Sequence, residues 1–460
     1  MSREAGLHFQ KDFTADELAG RRKKVLAAMG TGRAVIASAT EVPGFDPVRQ
    51  TNDFYYLTGV EVPHAYLVME ADGKGGGKTV LYLPPRNERH EKSDGPTLSD
   101  EDGAFVQTRT GIDEVRPIAQ VVADVSNLTG TLWVMRAPAE GYRQCQDTLW
   151  HYHKSIAADP LDGRISRETH LMARLAQLSP RAEFRDLSAI IHPMRLVKTP
   201  AEAAVMRISG KLTAMATIEA IKSTRPGVTE FQLGAIADYV FQINGAQGAG
   251  YRPIIARGDN IPMMHYWRNN AACQDGDFVL FDYAPDYNNY TSDIGRMWPA
   301  NGKYSPQQRE LYGFVLKHHA VLLDLIKPGK TKDQILAEAA AILRPVVEAT
   351  DWSKPLYKSS ALKLLESKRP LSHGVGMSVH DSGDWSTKPI EVGLVFALDP
   401  ELFIPEENLY IRVEDTVLVT ETGVENLTAA CPREMDEVER LMTEDGILQH
   451  LPPYQVNPSR

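Results

Sequence analysis

Short apolar runs alternate with helical spacing along the first 190 residues. Residues 18–29 (LAGRRKKVLAAM) predict an amphipathic helix with a basic face. Residues 34–37, 65–69 and 79–83 predict short buried strands, the last entered from a glycine-rich turn at 73–77. The polar, acidic and glycine-containing stretch 87–108 predicts a surface loop. Strand and helix patterns continue to about Leu187, and a boundary near 188–198 divides the chain into domains 1–190 and 191–460.

The second part opens on a helix signal. Thr199-Pro200-Ala201-Glu202 is a capping box with proline at the first helical position, where its missing N–H costs nothing. Val205, Ile208, Leu212 and Met215 then predict one apolar stripe. Ser305-Pro306-Gln307-Gln308 repeats the device ahead of Leu311, Val315, Leu322 and Ile326. The segments at 226–233 and 328–335 share the pattern PGxTxxQ(L/I), with the threonine placed as a helix cap. Two unrelated corners could give this pattern, because proline-glycine turns are common. An internal duplication gives it too, and would put a site between two similar halves.

Composition narrows the class. The chain has 460 residues, 43% hydrophobic and 24% charged, as expected of a globular protein of two or three domains. A net charge of -10 argues against a nucleic-acid or anionic-membrane partner. Cys145, Cys273 and Cys431 are far apart, so neither a disulfide framework nor a thiolate zinc site is indicated. No apolar core of signal-peptide length opens the sequence, and no run of about 18 apolar residues occurs. A cytoplasmic location is expected.

The chemistry gathers in the second part. The apolar strand 277–282 (DFVLFD) ends in Asp282, and Asp293 follows in YTSDIGRMW. A hairpin through 285–289 would bring both carboxylates together. Two buried carboxylates need a cation between them, either a divalent metal or an arginine such as Arg296. His373 lies in SHGVG, His380 follows seven positions on, and His265 lies in MHY. An apolar strand at 394–398 ends in Asp399. In YIRVEDT, period-two alternation puts Arg412, Glu414 and Thr416 on one face and Asp415 on the other. Bridging of Glu414 by an arginine is the bland alternative. Asp282, Asp293, His373, Asp399 and Glu414 form an oxygen-rich set suited to two divalent ions such as manganese, cobalt or zinc. Two ions about 3.5 Å apart can share a hydroxide nucleophile and stabilise a tetrahedral oxyanion.

The order and spacing of these residues resemble aminopeptidase P, in the aminopeptidase P/prolidase/methionine aminopeptidase group. The N-terminal RQTNDFYYLTG (49–59) is similar to the RQxxDFxYxTG segment of aminopeptidase P. The resemblance covers nearly the whole chain and implies an α/β (α+β) fold: a creatinase-like N-terminal domain and a pita-bread catalytic domain with an internal pseudo-twofold repeat. It implies that Asp282 holds one metal, His373 and Asp399 the other, and that Asp293 and Glu414 bridge both. It makes His265 and His380 substrate-side histidines, Asp399 the proton acceptor and Arg412 a supporting arginine. The implied reaction removes the first residue of peptides with proline second, with two ions, manganese foremost. A homo-oligomer, dimer or tetramer, is also implied. A dipeptidase (prolidase) or another amide or ester hydrolase is the alternative, and a non-enzymatic binding protein a third class. A creatinase-like amidinohydrolase needs no metal, and the retained acids argue against it. Three positions depart from the family: Asp399 replaces glutamate, Glu401 replaces glycine, and Arg369 replaces a histidine.

Overall fold

In the computed structural model, which describes residues 6–42 and 44–453, the N-terminal apolar runs form one six-stranded sheet. Its strands are β1 (Thr31–Ala37), β2 (Tyr66–Asp72), β3 (Gly77–Leu83), β4 (Glu114–Pro117), β5 (Thr129–Val134) and β6 (Arg181–Asp186). They lie in the order β4-β3-β2-β1-β5-β6. The β1–β2 and β2–β3 pairs are antiparallel, and the remaining pairs are parallel. Contacts divide the chain into two compact units between Arg195 and Leu196.

The first helix runs over Ala15–Met29, capped by Thr14, whose hydroxyl accepts from the Glu17 amide at 3.2 Å. Its basic face departs from the sequence expectation, because Arg21 and Arg22 are buried. Arg21 donates to the Tyr56 carbonyl at 3.0 Å, and Arg22 donates to Leu57 and Thr110, each at 2.7 Å. Those carbonyls lie at the ends of helices Asn52–Thr58 and Gly103–Thr110, where no later amide in the helix remains to satisfy them. Stretch 87–108, expected as loop, contains helix Glu88–Asp94 and the start of Gly103–Thr110. Capping by Asn87 and burial of Val106 stabilise turns too short to show an apolar period.

Helix Asn52–Thr58 is wholly buried and carries Asp53. Asp53 pairs with Arg195 at 2.8 Å and His192 at 3.4 Å, and Arg195 also reaches Glu140 at 3.2 Å. Burial pushes the Asp53 carboxyl up, but Arg195 and then His192 outweigh it and hold it below its ordinary range. Burial likewise pushes His192 down, and Asp53 more than reverses this. The Asp53 contribution is therefore present above about pH 4 and lost as pH falls through its lower folded value. The His192 contribution is full below about pH 6.5 and lost as pH rises through its raised folded value. Asp53→Asn is expected to destabilise most between these limits, by about 3 kcal/mol, and less at higher pH. Thermal melts of both proteins across pH check this.

The second unit contains β7 (Gly248–Ala249), β8 (Ile254–Arg257), β9 (Phe278–Asp282), β10 (Pro285–Asp286), β11 (Ile294–Pro299) and β12 (Leu371–Gly374). There follow β13 (Val395–Leu398), β14 (Glu401–Ile404), β15 (Leu409–Arg412), β16 (Glu414–Val419) and β17 (Val424–Asn426). A seven-stranded sheet has the order β12-β13-β16-β11-β9-β8, with β17 beside β16. β7 pairs with β10, and β14 with β15.

The repeated pattern builds the same corner twice. Thr331 caps helix Lys332–Ala349 with a full capping box, and ahead of helix Glu230–Ile243 the Thr229 amide donates to the Gln232 side chain at 2.9 Å, the matching half of that box. Gly227 and Gly329 precede them with φ of 95° and 87°. Each threonine also bridges an antiparallel segment, Thr229 to Ala272 and Thr331 to Pro389. Matching contacts at matching positions favour duplication over two unrelated turns.

Both predicted proline-started helices form, Pro200–Ser223 and Pro306–Leu325. The predicted stripe on the first is only half buried: Val205 and Leu212 are inside, but Ile208 and Met215 are exposed. Its inner face is lined by small residues instead. A Cβ on Gly210 would lie 2.3 Å from the Leu427 carbonyl oxygen. The Ser209 and Thr213 hydroxyls meet that of Ser292 at 3.1 and 2.7 Å.

Candidate metal centre

Strand ends set the site. Asp282 closes β9, Asp293 immediately precedes β11, His373 lies in β12, Asp399 follows β13 and Glu414 opens β16. The apolar interiors of β9 and β13 are buried and fix where their terminal acids emerge. The hairpin between Asp282 and Asp293 forms as expected. Asn288 and Asn289 turn it with φ of 50° and 64°, the left-handed pair of a type I′ turn. Asp293 is held from both sides. Its amide donates to Thr416 Oγ1 at 2.6 Å, and that hydroxyl donates to its carbonyl at 2.8 Å.

The five residues converge, and all four acids are at most 3% exposed. Ligand atoms of Asp293, His373 and Glu414 lie within 4.8 Å of one another. The Arg412 guanidinium sits among the acids. Its Nη1 is 2.6 Å from Asp282 Oδ2, and its Nε and Nη2 grip the two Asp399 oxygens at 2.8 and 3.0 Å. Nη2 also lies 2.6 Å from Glu414 Oε2. That approach is close but poorly directed, because neither Glu414 oxygen accepts a hydrogen bond of good geometry. The arginine alternative for Glu414 is thus partly realised. The one for the Asp282–Asp293 pair is not realised by Arg296, which pairs with Asp415 at 2.6 Å on the opposite face.

Four carboxylates share one guanidinium, and the balance is unfavourable. Burial pushes Asp282 and Asp399 up to about 7, with Arg412 opposing. Burial likewise raises Asp293, and raises Glu414 well above its ordinary range. Burial and then the neighbouring His380 hold His373 well below the usual imidazole value, which leaves it neutral, as a metal ligand must be. Underused Glu414 oxygens, a neutral imidazole and uncompensated acids fit divalent cations.

Sequence reasoning missed Tyr251, because nothing local marks it. Its hydroxyl lies 2.7 Å from Asp282 Oδ1 and 2.8 Å from Asp293 Oδ1. One hydroxyl proton can serve only one of these oxygens at a time. Sequence reasoning also missed Lys198, whose buried ammonium is 3.1 Å from Asp381 Oδ2 and pins the residue after His380. The two expected substrate-side histidines do reach the site. The His380 ring centre is 4.0 Å from that of His373, and the His265 ring centre is 6.2 Å from that of His380.

Residues 204–421 match metallopeptidase family M24, and residues 18–132 match the aminopeptidase P N-terminal domain. The Xaa-Pro aminopeptidase of Escherichia coli K12 is 30% identical over 454 residues, covering 94% of this chain and 98% of the relative. The chain belongs to metallopeptidase family M24. Mouse Xaa-Pro aminopeptidase 3 is 31% identical and covers 85% of this chain and 76% of its own. The structure of proline aminopeptidase P II from Yersinia pestis superposes with a TM-score of 0.75 at 29% identity, covering 94% of this chain and all (100%) of that one. A zinc-substituted Escherichia coli aminopeptidase P in complex with product gives 0.75 at 28% identity, covering 94% and 99%. This M24 member is a metallo-exopeptidase, a hydrolase of peptides that works with divalent metal ions. Its two units have the aminopeptidase P fold, a mixed α/β N-terminal domain and a pita-bread domain.

Proposed function

We propose that this M24 enzyme removes the N-terminal residue from peptides with proline in the second position. The observation that carries this reading is the convergence of four buried acids and one histidine, with Glu414 left without a well-directed partner. In this reading Asp282 would help hold one ion and His373 and Asp399 the other, with Asp293 and Glu414 serving both. Manganese is the proposed native metal. Bound there, such ions polarise a carbonyl and lower the pKa of water. The domains act as 1–190 and 191–460, the second carrying the chemistry. The three free cysteines support a cytoplasmic enzyme, and a dimer or tetramer completes the reading.

The remaining roles belong to the chain's own side chains. The rings of His380 and His265 stand near His373, at 4.0 Å from it and 6.2 Å from His380 respectively, and would steady the scissile carbonyl as negative charge develops. Asp399 would take the proton from the attacking water. The two-point grip of Arg412 fixes the orientation of that carboxylate. An Xaa-Pro bond suits the site, because proline has no N–H for a protease to hold. The test compares Xaa-Pro-Xaa tripeptides with Xaa-Pro dipeptides on manganese-loaded protein. Tripeptide cleavage at the first bond is expected. Exclusive dipeptide cleavage would convert the assignment to a dipeptidase.

Asp399 is one methylene shorter than the glutamate of the relatives it resembles. Asp399→Glu is expected to keep or raise peptidase turnover, because Glu restores the usual reach. A loss of about tenfold or more in kcat, equivalent to about 1.4 kcal/mol of barrier, would mean that the site is rebuilt around the shorter acid.

A further inference from the structure

Arg369 is an exposed arginine with little freedom. Its side chain is 59% exposed, yet Nη1 lies 3.3 Å from Glu401 Oε2 and 3.6 Å from Met264 Sδ. Its guanidinium carbon stands 5.4 Å from the centre of the Phe403 ring. Glu401 is itself buried, and its other oxygen accepts from the Tyr410 hydroxyl at 2.6 Å. This clamp is tied to the metal centre on three sides. The β14–β15 register sets Glu401 opposite Arg412, which grips Asp282 and Asp399. Pro370, next to Arg369, accepts the Asp399 amide at 2.7 Å. Met264 immediately precedes His265.

The donors left over have a definite shape. Among the described residues, Nε and Nη2 of Arg369 have no hydrogen-bond partner. Together they form one planar edge with two parallel N–H groups, the geometry that receives a carboxylate at two points. An unbraced surface arginine loses side-chain freedom when it binds, whereas this one is already held. The two departures at 369 and 401 are therefore one feature: the buried acid fixes the arginine, and both are joined through adjacent residues to the ligands of the centre.

We propose that Arg369 is a specificity residue that receives a carboxylate of the peptide substrate. The carboxylate comes either from the C-terminus of a short peptide or from an acidic side chain near the cleaved bond. The inference rests on the Xaa-Pro aminopeptidase reading. The test uses manganese-loaded full-length protein and four peptides. One pair is an Xaa-Pro-Leu tripeptide as free acid and as C-terminal amide. The other is a longer amidated Xaa-Pro peptide with Glu or Gln in third position. In wild type, KM is expected to be about tenfold lower for the charged member of one pair, with kcat little changed. The responding pair identifies the source of the carboxylate. Arg369→Gln brings that KM ratio to about one, and Arg369→Lys restores it only in part, because an ammonium lacks the fork. Equal KM values within both wild-type pairs overturn the inference, as does an Arg369→Gln protein that weakens all four peptides alike. If wild type cleaves none of the four, the peptidase reading falls, and this inference falls with it.

Discussion

Asp293→Ala is expected to lose metal binding and hydrolysis together. In the proposed arrangement Asp293 bridges both ions, so its removal strips a ligand from each. Its backbone is fixed by Thr416 at 2.6 and 2.8 Å, so the segment has no ready means of moving another acid into place. A drop of at least about a thousandfold in kcat/KM, or about 4 kcal/mol of transition-state stabilisation, is the expected scale. Metal content after dialysis against manganese, read beside turnover, checks it. Wild-type turnover in the variant would remove Asp293 from the chemistry.

Arg412→Met is expected to be the most destabilising substitution at the site, and metal should blunt its effect. Arg412 is the guanidinium that contacts Asp282, Asp399 and Glu414 at 2.6 to 3.0 Å. Without it, buried acids face one another with no compensating cation. Breaking a buried pair by removing one partner costs about 3–5 kcal/mol. Bound divalent ions supply positive charge to the same oxygens and stabilise the folded state by mass action. Thermal melts of both proteins, in chelator and in excess manganese, should show a gap that narrows with metal. An equal gap in both conditions would mean that Arg412 acts through packing alone.

Much of the site was legible in the sequence because strands confine acids in a readable way. Asp282 and Asp399 each end an apolar run, and burial of that run fixes where the carboxylate emerges. Glu414 was legible through period-two alternation, which also separated it from Asp415. The capping boxes at Thr199 and Ser305 were readable because their chemistry is local. Contacts set by distant packing were not. Tyr251 reaches its acids from 31 and 42 positions away, and Lys198 reaches Asp381 across 183. The stripe on helix Pro200–Ser223 was misread for a related reason. Close packing at Gly210 and the Ser209–Ser292–Thr213 hydroxyl cluster decided which face turned inward. Arg21 and Arg22 look like solvent residues in a basic run, and only the ends of two other helices explain their burial.

Anomalous diffraction from a manganese-soaked crystal tests the central claim most directly. Two peaks are expected about 3.5 Å apart, ringed by Asp282, Asp293, His373, Asp399 and Glu414. No peak among these residues, with Arg412 and Tyr251 still in contact with the acids, would contradict the account.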